Sequence, residues 1–221
     1  MFELSTERLP ADKGPMTRRA LRPVLAVLAA GAAALGAAAP ANAGLLAASA
    51  GDCADVTTAR VFAPWLDPAR YFLAPDGGFE AGAAGWELDG AAVVDGNEPF
   101  EVSGPGSHSL ALPSGATATS PVVCVGIDRP TIRFFVKRTG GSLPSHLQVS
   151  VNFTGPLGQP LTLPVGVVGG SSTWQPSPTM VVAASLLPLL PGKRTPVTFT
   201  FTAQGGSWLV DDVHVDPYGK W

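Results

Sequence analysis

The residues best suited to chemistry are carboxylates in two short stretches near opposite ends of the chain. Residues 73–90 read LAPDGGFEAGAAGWELDG, and residues 207–217 read SWLVDDVHVDP. The period of two in the second stretch predicts a strand that places Asp211 on one face with the aliphatic residues Leu209, Val213 and Val215. An ionised carboxylate on such a face needs either a cation or several backbone N–H donors. Asp211 is therefore a candidate for one of these two arrangements.

Catalytic motifs are missing from the sequence. No window matches the Gly-x-Ser-x-Gly elbow of serine hydrolases, and the three histidines, His108, His146 and His214, are too far apart for a His-x-x-x-His metal motif. Glycosidases need two close carboxylates, which almost any β-sandwich offers by chance. The sequence therefore predicts a protein that is not an enzyme.

The first 43 residues are typical of a secretory signal peptide. A basic segment, residues 16–23, precedes an alanine-rich apolar segment at 24–40, and the small residues Ala-Asn-Ala at 41–43 form a cleavage signature. Met16 is a second candidate for the true start, and residues 17–22 resemble a twin-arginine export signal. The alternative is an uncleaved anchor, but a membrane-spanning helix needs about 20 strongly apolar residues. We therefore expect a secreted, extracellular or cell-envelope protein with no membrane span after cleavage.

Without the leader's five basic and three acidic residues, the mature chain has 9 Lys and Arg against 14 Asp and Glu, a net charge of −5. It contains no basic cluster, which argues against nucleic acid as a partner. Its two cysteines, Cys53 and Cys124, lie in a chain destined for an oxidising compartment, so a disulfide between them is expected, with two buried thiols as the alternative.

The mature sequence is built of short segments with a period of two, separated by glycine and proline. Examples are HLQVSVNF at 146–153 and PVTFTFTA at 196–203. The fold class predicted from this pattern is all-β, an antiparallel β-sandwich, because a parallel sheet would need crossover helices. We assign residues 44–52 to a linker, 53–217 to one sandwich domain and 218–221 to a tail. The apolar run at 179–191 is expected to be a buried strand leading into a proline-rich loop, or else an exposed loop that meets a partner.

Taken together, APDGGFEAGAAGW and SWLVDDVHVDP resemble a pair of motifs in bacterial carbohydrate-binding modules with the galactose-binding-like jelly-roll fold. The resemblance spans about residues 74–217. It implies a structural calcium ion that joins the first and last strands. The ligands it implies are Glu80 and Asp211, followed by Asp76 and Asp212; the alternative is that these acids cap turns and accept hydrogen bonds.

The resemblance also implies a function, the binding of a polysaccharide or glycan by a non-catalytic module. Such modules hold sugars on aromatic platforms, for which Trp65, Tyr71, Trp174 and Trp221 are candidates, whereas Trp86 and Trp208 lie in the motifs and are expected to be structural. Residues 53–75 precede the motif, and we expect them to add a strand and loop fixed through Cys53. The alternative function is that of a stand-alone extracellular or cell-envelope interaction domain, which keeps the fold without binding sugar.

Overall fold

A computed structural model describes residues 53, 56–126, 130–155, 157–182 and 194–217. The predicted signal peptide, the linker, most of the apolar run at 179–191, the C-terminal tail and Trp221 lie outside the described residues. Within them, no helix is long and apolar enough to cross a membrane.

The described chain is almost entirely β-structure. One turn of 3₁₀ helix, Ala63–Trp65, precedes eleven strands in the described residues. The strands are β1 (Phe72–Leu73), β2 (Glu87–Asp89), β3 (Ala92–Asp95), β4 (His108–Leu112), β5 (Thr117–Thr119), β6 (Val123–Gly126), β7 (Thr131–Thr154), β8 (Pro160–Val168), β9 (Gln175–Pro176), β10 (Met180–Val181) and β11 (Arg194–Asp216). The named strands pair antiparallel. This confirms the predicted all-β sandwich.

The centre of the fold is the antiparallel pair of long strands β7 and β11. Each combines two segments that the sequence pattern separates. Where the segments join, the register shifts and Gly141 faces Gly206, and a Cβ atom on Gly141 would lie 2.5 Å from the Gly206 Cα. No other residue type fits such a close approach of two backbones. The other strands pair with β7 or β11, except β2 and β3, which pair with β5 and β4.

A β-bulge in β11 changes which residues face the core. Asp211 lies opposite Phe135 and His214 lies opposite Arg133, so β11 has one extra residue at this point, where Asp212 has a φ of +46°. Before the bulge the core residues are Trp208 and Val210, and after it they are Val213 and Val215. The prediction that Leu209, Asp211, Val213 and Val215 share one face is therefore wrong, because the bulge shifts the alternation by one residue.

Two hydrophobic clusters pack on opposite faces of β7. The large core includes Phe134 and Val136, together with Trp86 and Trp208, so the prediction that these two tryptophans are structural is confirmed. Phe135 points the other way. It belongs to a second group, the outer cluster, which consists of Phe62, Ala69, Tyr71 and Phe135.

The segment before β1 covers this outer face of the sheet. Ala59 and Tyr71 form an isolated β-bridge, and Phe62, between them, is fully buried. The predicted disulfide is confirmed: Cys53 and Cys124 are bonded, with their Cα atoms 5.6 Å apart. A disulfide that closes a long loop stabilises chiefly by restricting the unfolded chain. It fixes the start of the segment to β6.

A buried ion pair fixes the same segment at its other end. Asp67 Oδ2 lies 2.7 Å from Arg133 Nη1, and both side chains are less than a tenth exposed. The Tyr71 hydroxyl donates a hydrogen bond to the same carboxylate oxygen at 2.8 Å, and the Arg133 guanidinium lies 4.5 Å from the centroid of the Phe62 ring. Removing one member would leave a buried charge without a partner, which is costly.

Candidate functional sites

The Asp-Gly-Gly-Phe-Glu segment lies directly against β11. The Ala74 N–H donates to the Val213 carbonyl at 2.8 Å, and the Val213 N–H donates to the Gly77 carbonyl at 2.9 Å. A Cβ on Gly77 would lie 2.8 Å from the Val213 oxygen, which explains why glycine stands there. Phe79 is fully buried. The segment is thus the turn by which the start of the sandwich joins its last strand.

Three of the four predicted calcium ligands line one small opening at this junction, which we call the acidic cleft. It has a volume of about 110 Å³, and its polar lining consists of Asp76, Glu80, Asn97, Ser103 and Asp212. The fourth predicted ligand, Asp211, is outside this lining. Its side chain is fully buried, and its two oxygens accept hydrogen bonds from the Glu98 N–H at 3.0 Å and the Asp212 N–H at 2.8 Å.

Asp76 and Glu80 are already hydrogen-bonded. Asp76 accepts the N–H groups of Ala81 at 2.9 Å and Ala84 at 2.6 Å, so it organises the loop that leads to Trp86. Glu80 accepts the backbone N–H groups of Ser107 and His108, both at 2.8 Å, and its Oε2 lies 3.0 Å from His108 Nδ1. The hydrogen bond from His108, followed by the bonds from Ser107 and the His108 backbone, lowers the pKa of Glu80 to about 2.

Next to the cleft is a buried group of acids, in which Glu98 joins the predicted ligands Asp211 and Asp212. Glu98 is 1% exposed and accepts N–H groups from Phe100 and Val102. Burial, together with the charges of the neighbouring acids, raises the pKa of Asp211 to about 8 and that of Asp212 to about 6. Ser103 lowers the pKa of Asp212 and so opposes part of the rise that burial and Glu98 cause. Because Glu98 lies in a loop without periodicity, no sequence pattern predicts its burial.

The side chains that line the cleft offer oxygen atoms, the type of ligand that a hard cation binds. Carboxylate and carboxamide oxygens are the ligands that calcium prefers, and it takes six to eight of them. These side chains do not form a complete site by themselves. Among the residues that the structure describes, no group of three or more His, Cys, Asp or Glu side chains is placed to hold a metal ion. Backbone carbonyls would have to complete such a site.

His214 fills the space between the acids and the outer cluster. It is 2% exposed, its Nδ1 lies 2.7 Å from the Asp212 carbonyl, and its Nε2 lies 3.2 Å from Ser103 Oγ. Burial lowers the pKa of His214 to about 4, so the ring is neutral at pH 7. A neutral ring with Nδ1–H donating to the carbonyl can accept a bond from Ser103 at Nε2.

The outer cluster gathers two of the predicted sugar platforms. Trp65 and Trp174 both pack against it, each half-buried. Phe100, which the sequence patterns do not indicate, is 42% exposed, and its ring centroid lies 5.1 Å from that of Trp65. We call Trp65, Phe100 and Trp174 the aromatic patch. Tyr71 needs a correction: it is 1% exposed and hydrogen-bonded to Asp67, so its ring offers no face to a sugar.

No protein-family model matches the chain, and no curated protein matches it. Several solved structures do match the chain. One is the N-terminal CBM22-1–CBM22-2 tandem domain of Xyn10C from Paenibacillus barcinonensis, with a TM-score of 0.51 at 15% identity over 76% of this chain and 48% of that one. This likeness shows that the chain has the jelly-roll fold of carbohydrate-binding modules.

Two further structures are similar at lower scores. The CBM22-1–GH10 modules of xylanase 10B from Clostridium thermocellum, complexed with xylohexaose, have a TM-score of 0.46 at 15% identity. The match covers 67% of this chain but only 29% of that one. The module TmCBM61, in complex with β-1,4-galactotriose, has a TM-score of 0.39 at 17% identity, covering 65% of this chain and 96% of that one.

The Glu80–His108 pair can be tested by a pH titration of the His108 ring, followed by NMR. The hydrogen bond that His108 donates to Glu80, followed by the charge of Glu80, raises the pKa of His108 above the usual value of 6.5. In the Glu80→Gln variant the pKa should fall towards 6.5, because the imidazolium loses its charged acceptor. The control is Asp95→Asn, since Asp95 is exposed and 3.9 Å from His108 Nε2, and its loss should shift the pKa less. An unchanged pKa in Glu80→Gln would show that the pair does not form in solution.

Proposed function

We propose that this protein is a secreted, non-catalytic module that binds a polysaccharide on its aromatic patch. The observation that carries the proposal is the convergence of Trp65 and Trp174, distant in sequence, on the same buried cluster. Phe100 extends the patch at its exposed side.

The packing of the patch suits a flat, partly apolar ligand. Trp65 makes edge contacts with Phe100 and Phe135, with centroids 5.1 and 5.3 Å apart, so its orientation is fixed before any ligand arrives. A rigid aromatic side chain loses little conformational entropy on binding. Sugar rings have apolar C–H faces that stack on such side chains, while their hydroxyl groups stay in water.

Two other observations support the proposal. The modules of similar fold include structures described with xylohexaose and β-1,4-galactotriose, which makes xylan and β-1,4-galactan the first polymers to test. Secretion is supported by the leader pattern at 1–43 and by the Cys53–Cys124 disulfide, a bond that persists in oxidising compartments.

Replacing the tryptophans should remove binding. For Trp65→Ala and Trp174→Ala we expect retardation in gels containing xylan or β-1,4-galactan to weaken by roughly tenfold or more, the typical loss at an aromatic anchor. Leu157→Ala is the matched control, because Leu157 is 91% exposed and outside the outer cluster and the patch. Melting curves of all three variants exclude loss of folding as the cause.

Two results would contradict the proposal. If Trp65→Ala were retarded as strongly as the unmodified protein, the aromatic patch would not be the binding site. If the unmodified protein bound none of a broad panel of soluble and insoluble polysaccharides, the function would instead be that of an extracellular or cell-envelope interaction domain.

We also propose that the acidic cleft holds a structural calcium ion, with Glu80 and Asp212 as side-chain ligands and Asp76 and Asn97 beside them. The support is the oxygen-rich lining and the burial of Asp212 next to Glu98, which leaves negative charge in need of compensation. Because Glu80 already accepts hydrogen bonds from Ser107 and His108, it would have to share its oxygens with the ion. Asp211 is then a positioning residue that bonds backbone N–H groups.

Chelation tests the ion. A ligand that binds the folded state alone stabilises it by mass action, so EGTA should lower the melting temperature and added calcium should restore it. In Asp212→Asn the calcium-dependent part of the shift should be lost, whereas the control Asp89→Asn, at an exposed position of β2, should keep it. A melting curve that is the same in EGTA and in calcium would exclude a structural ion at this cleft.

A further inference from the structure

Lys137 lies on the same face of β7 as the aromatic patch. Phe134 and Val136 belong to the large core and Phe135 to the outer cluster, so strict alternation places Lys137 on the outer face. The register between β7 and β11 is regular here, with Lys137 opposite Leu209. Leu209 is half-buried and outside the core cluster, whereas its neighbours Trp208 and Val210 are in that cluster.

On its other side, Lys137 has Trp174 as its neighbour. Gln175 pairs with Val136 and Pro176 with Phe135, so the antiparallel register brings Trp174 alongside Lys137. The hydrogen bond from the Arg138 N–H to the Ser171 carbonyl, at 2.8 Å, shows that the chain before β9 continues along β7. Lys137 therefore lies between Leu209 and a tryptophan of the patch.

No acidic side chain of the described residues neutralises Lys137. The ion pairs of His108 with Glu80, of His108 with Asp95 and of Arg133 with Asp67 do not involve Lys137. The acid nearest to Lys137 by register is Asp211, opposite Phe135, and both of its oxygens accept backbone N–H bonds. Lys137 is half-buried as a residue, and its charge has no acidic partner in the described part of the chain. Such a charge can attract an anionic group of a ligand.

We propose that the patch selects an acidic polysaccharide, whose anionic group pairs with the Lys137 ammonium while a sugar ring stacks on Trp174. This inference rests on the proposed function and adds the charge of the ligand to it. The aromatic side chains supply most of the affinity, and Lys137 supplies the preference for charged over neutral sugars, because a partly exposed ion pair contributes modestly.

The test compares glucuronoxylan with the same polymer after chemical reduction of its carboxyl groups. We expect the unmodified protein to bind the acidic form about fivefold more tightly at low salt, the upper range for a partly exposed ion pair. In Lys137→Gln the two polymers should bind equally, at the level of the reduced form. High salt should also remove the difference, because it screens the pair.

Arg138→Gln is the matched control, since it removes the same charge one residue away. Arg138 lies opposite Trp208, which faces the core, so this variant should keep the preference for the acidic polymer. If the unmodified protein binds both polymers equally, or if Arg138→Gln loses the preference as Lys137→Gln does, the inference is overturned while the proposed function stands. If neither polymer binds at all, the proposed function fails and this inference fails with it.

Discussion

The structure depends on the hydrogen bonds that join the turn after β1 to the last strand. Two backbone bonds, Ala74 to Val213 and Val213 to Gly77, connect segments from opposite ends of the described chain. Bonds between such distant segments bring a large loss of chain entropy, so they need the rest of the sandwich to hold both partners in place. Gly77 allows the close approach, and the burial of Phe79 beside it anchors the turn in the core.

The β-bulge at Asp211 and Asp212 lies next to this junction and divides the two surfaces of interest. Because β11 has one extra residue there, Val213 and Val215 continue the core while His214 points outward to Phe62, with ring centroids 5.5 Å apart. Asp212 lines the acidic cleft. The N-terminal segment, tied by the disulfide and by the Asp67–Arg133 pair, brings Trp65 to the outer face. A local irregularity in one strand thus separates a candidate cation site from a candidate sugar site.

The sequence predicted the fold well because alternation is a local signal, and the two motifs predicted which ends meet. The sequence did not predict the position of a residue where that position depends on residues far away in the chain. The bulge places Val213 and Val215 on the face opposite Leu209 and Asp211, and no period in the sequence marks an extra residue in a strand. Tyr71 is a predicted platform, but its ring packs against Phe62 and its hydroxyl group bonds Asp67 in the folded chain, and no local pattern indicates this burial. The sequence does not indicate the positions of Glu98, Phe100 and Lys137. These positions depend on loop conformation and strand register, which only the folded chain defines.

Hydrogen exchange at the Ala74 and Val213 amides tests the junction most directly. If the turn after β1 is bonded to β11 as described, both amides should be strongly protected, and Gly77→Ala should speed their exchange together, because a Cβ there would meet the Val213 carbonyl oxygen. Gly169→Ala, at a position with no atom within 4 Å of the added Cβ, should leave both unchanged. Fast exchange of the two amides in the unmodified protein, while the β7–β11 pair remains protected, would contradict the account.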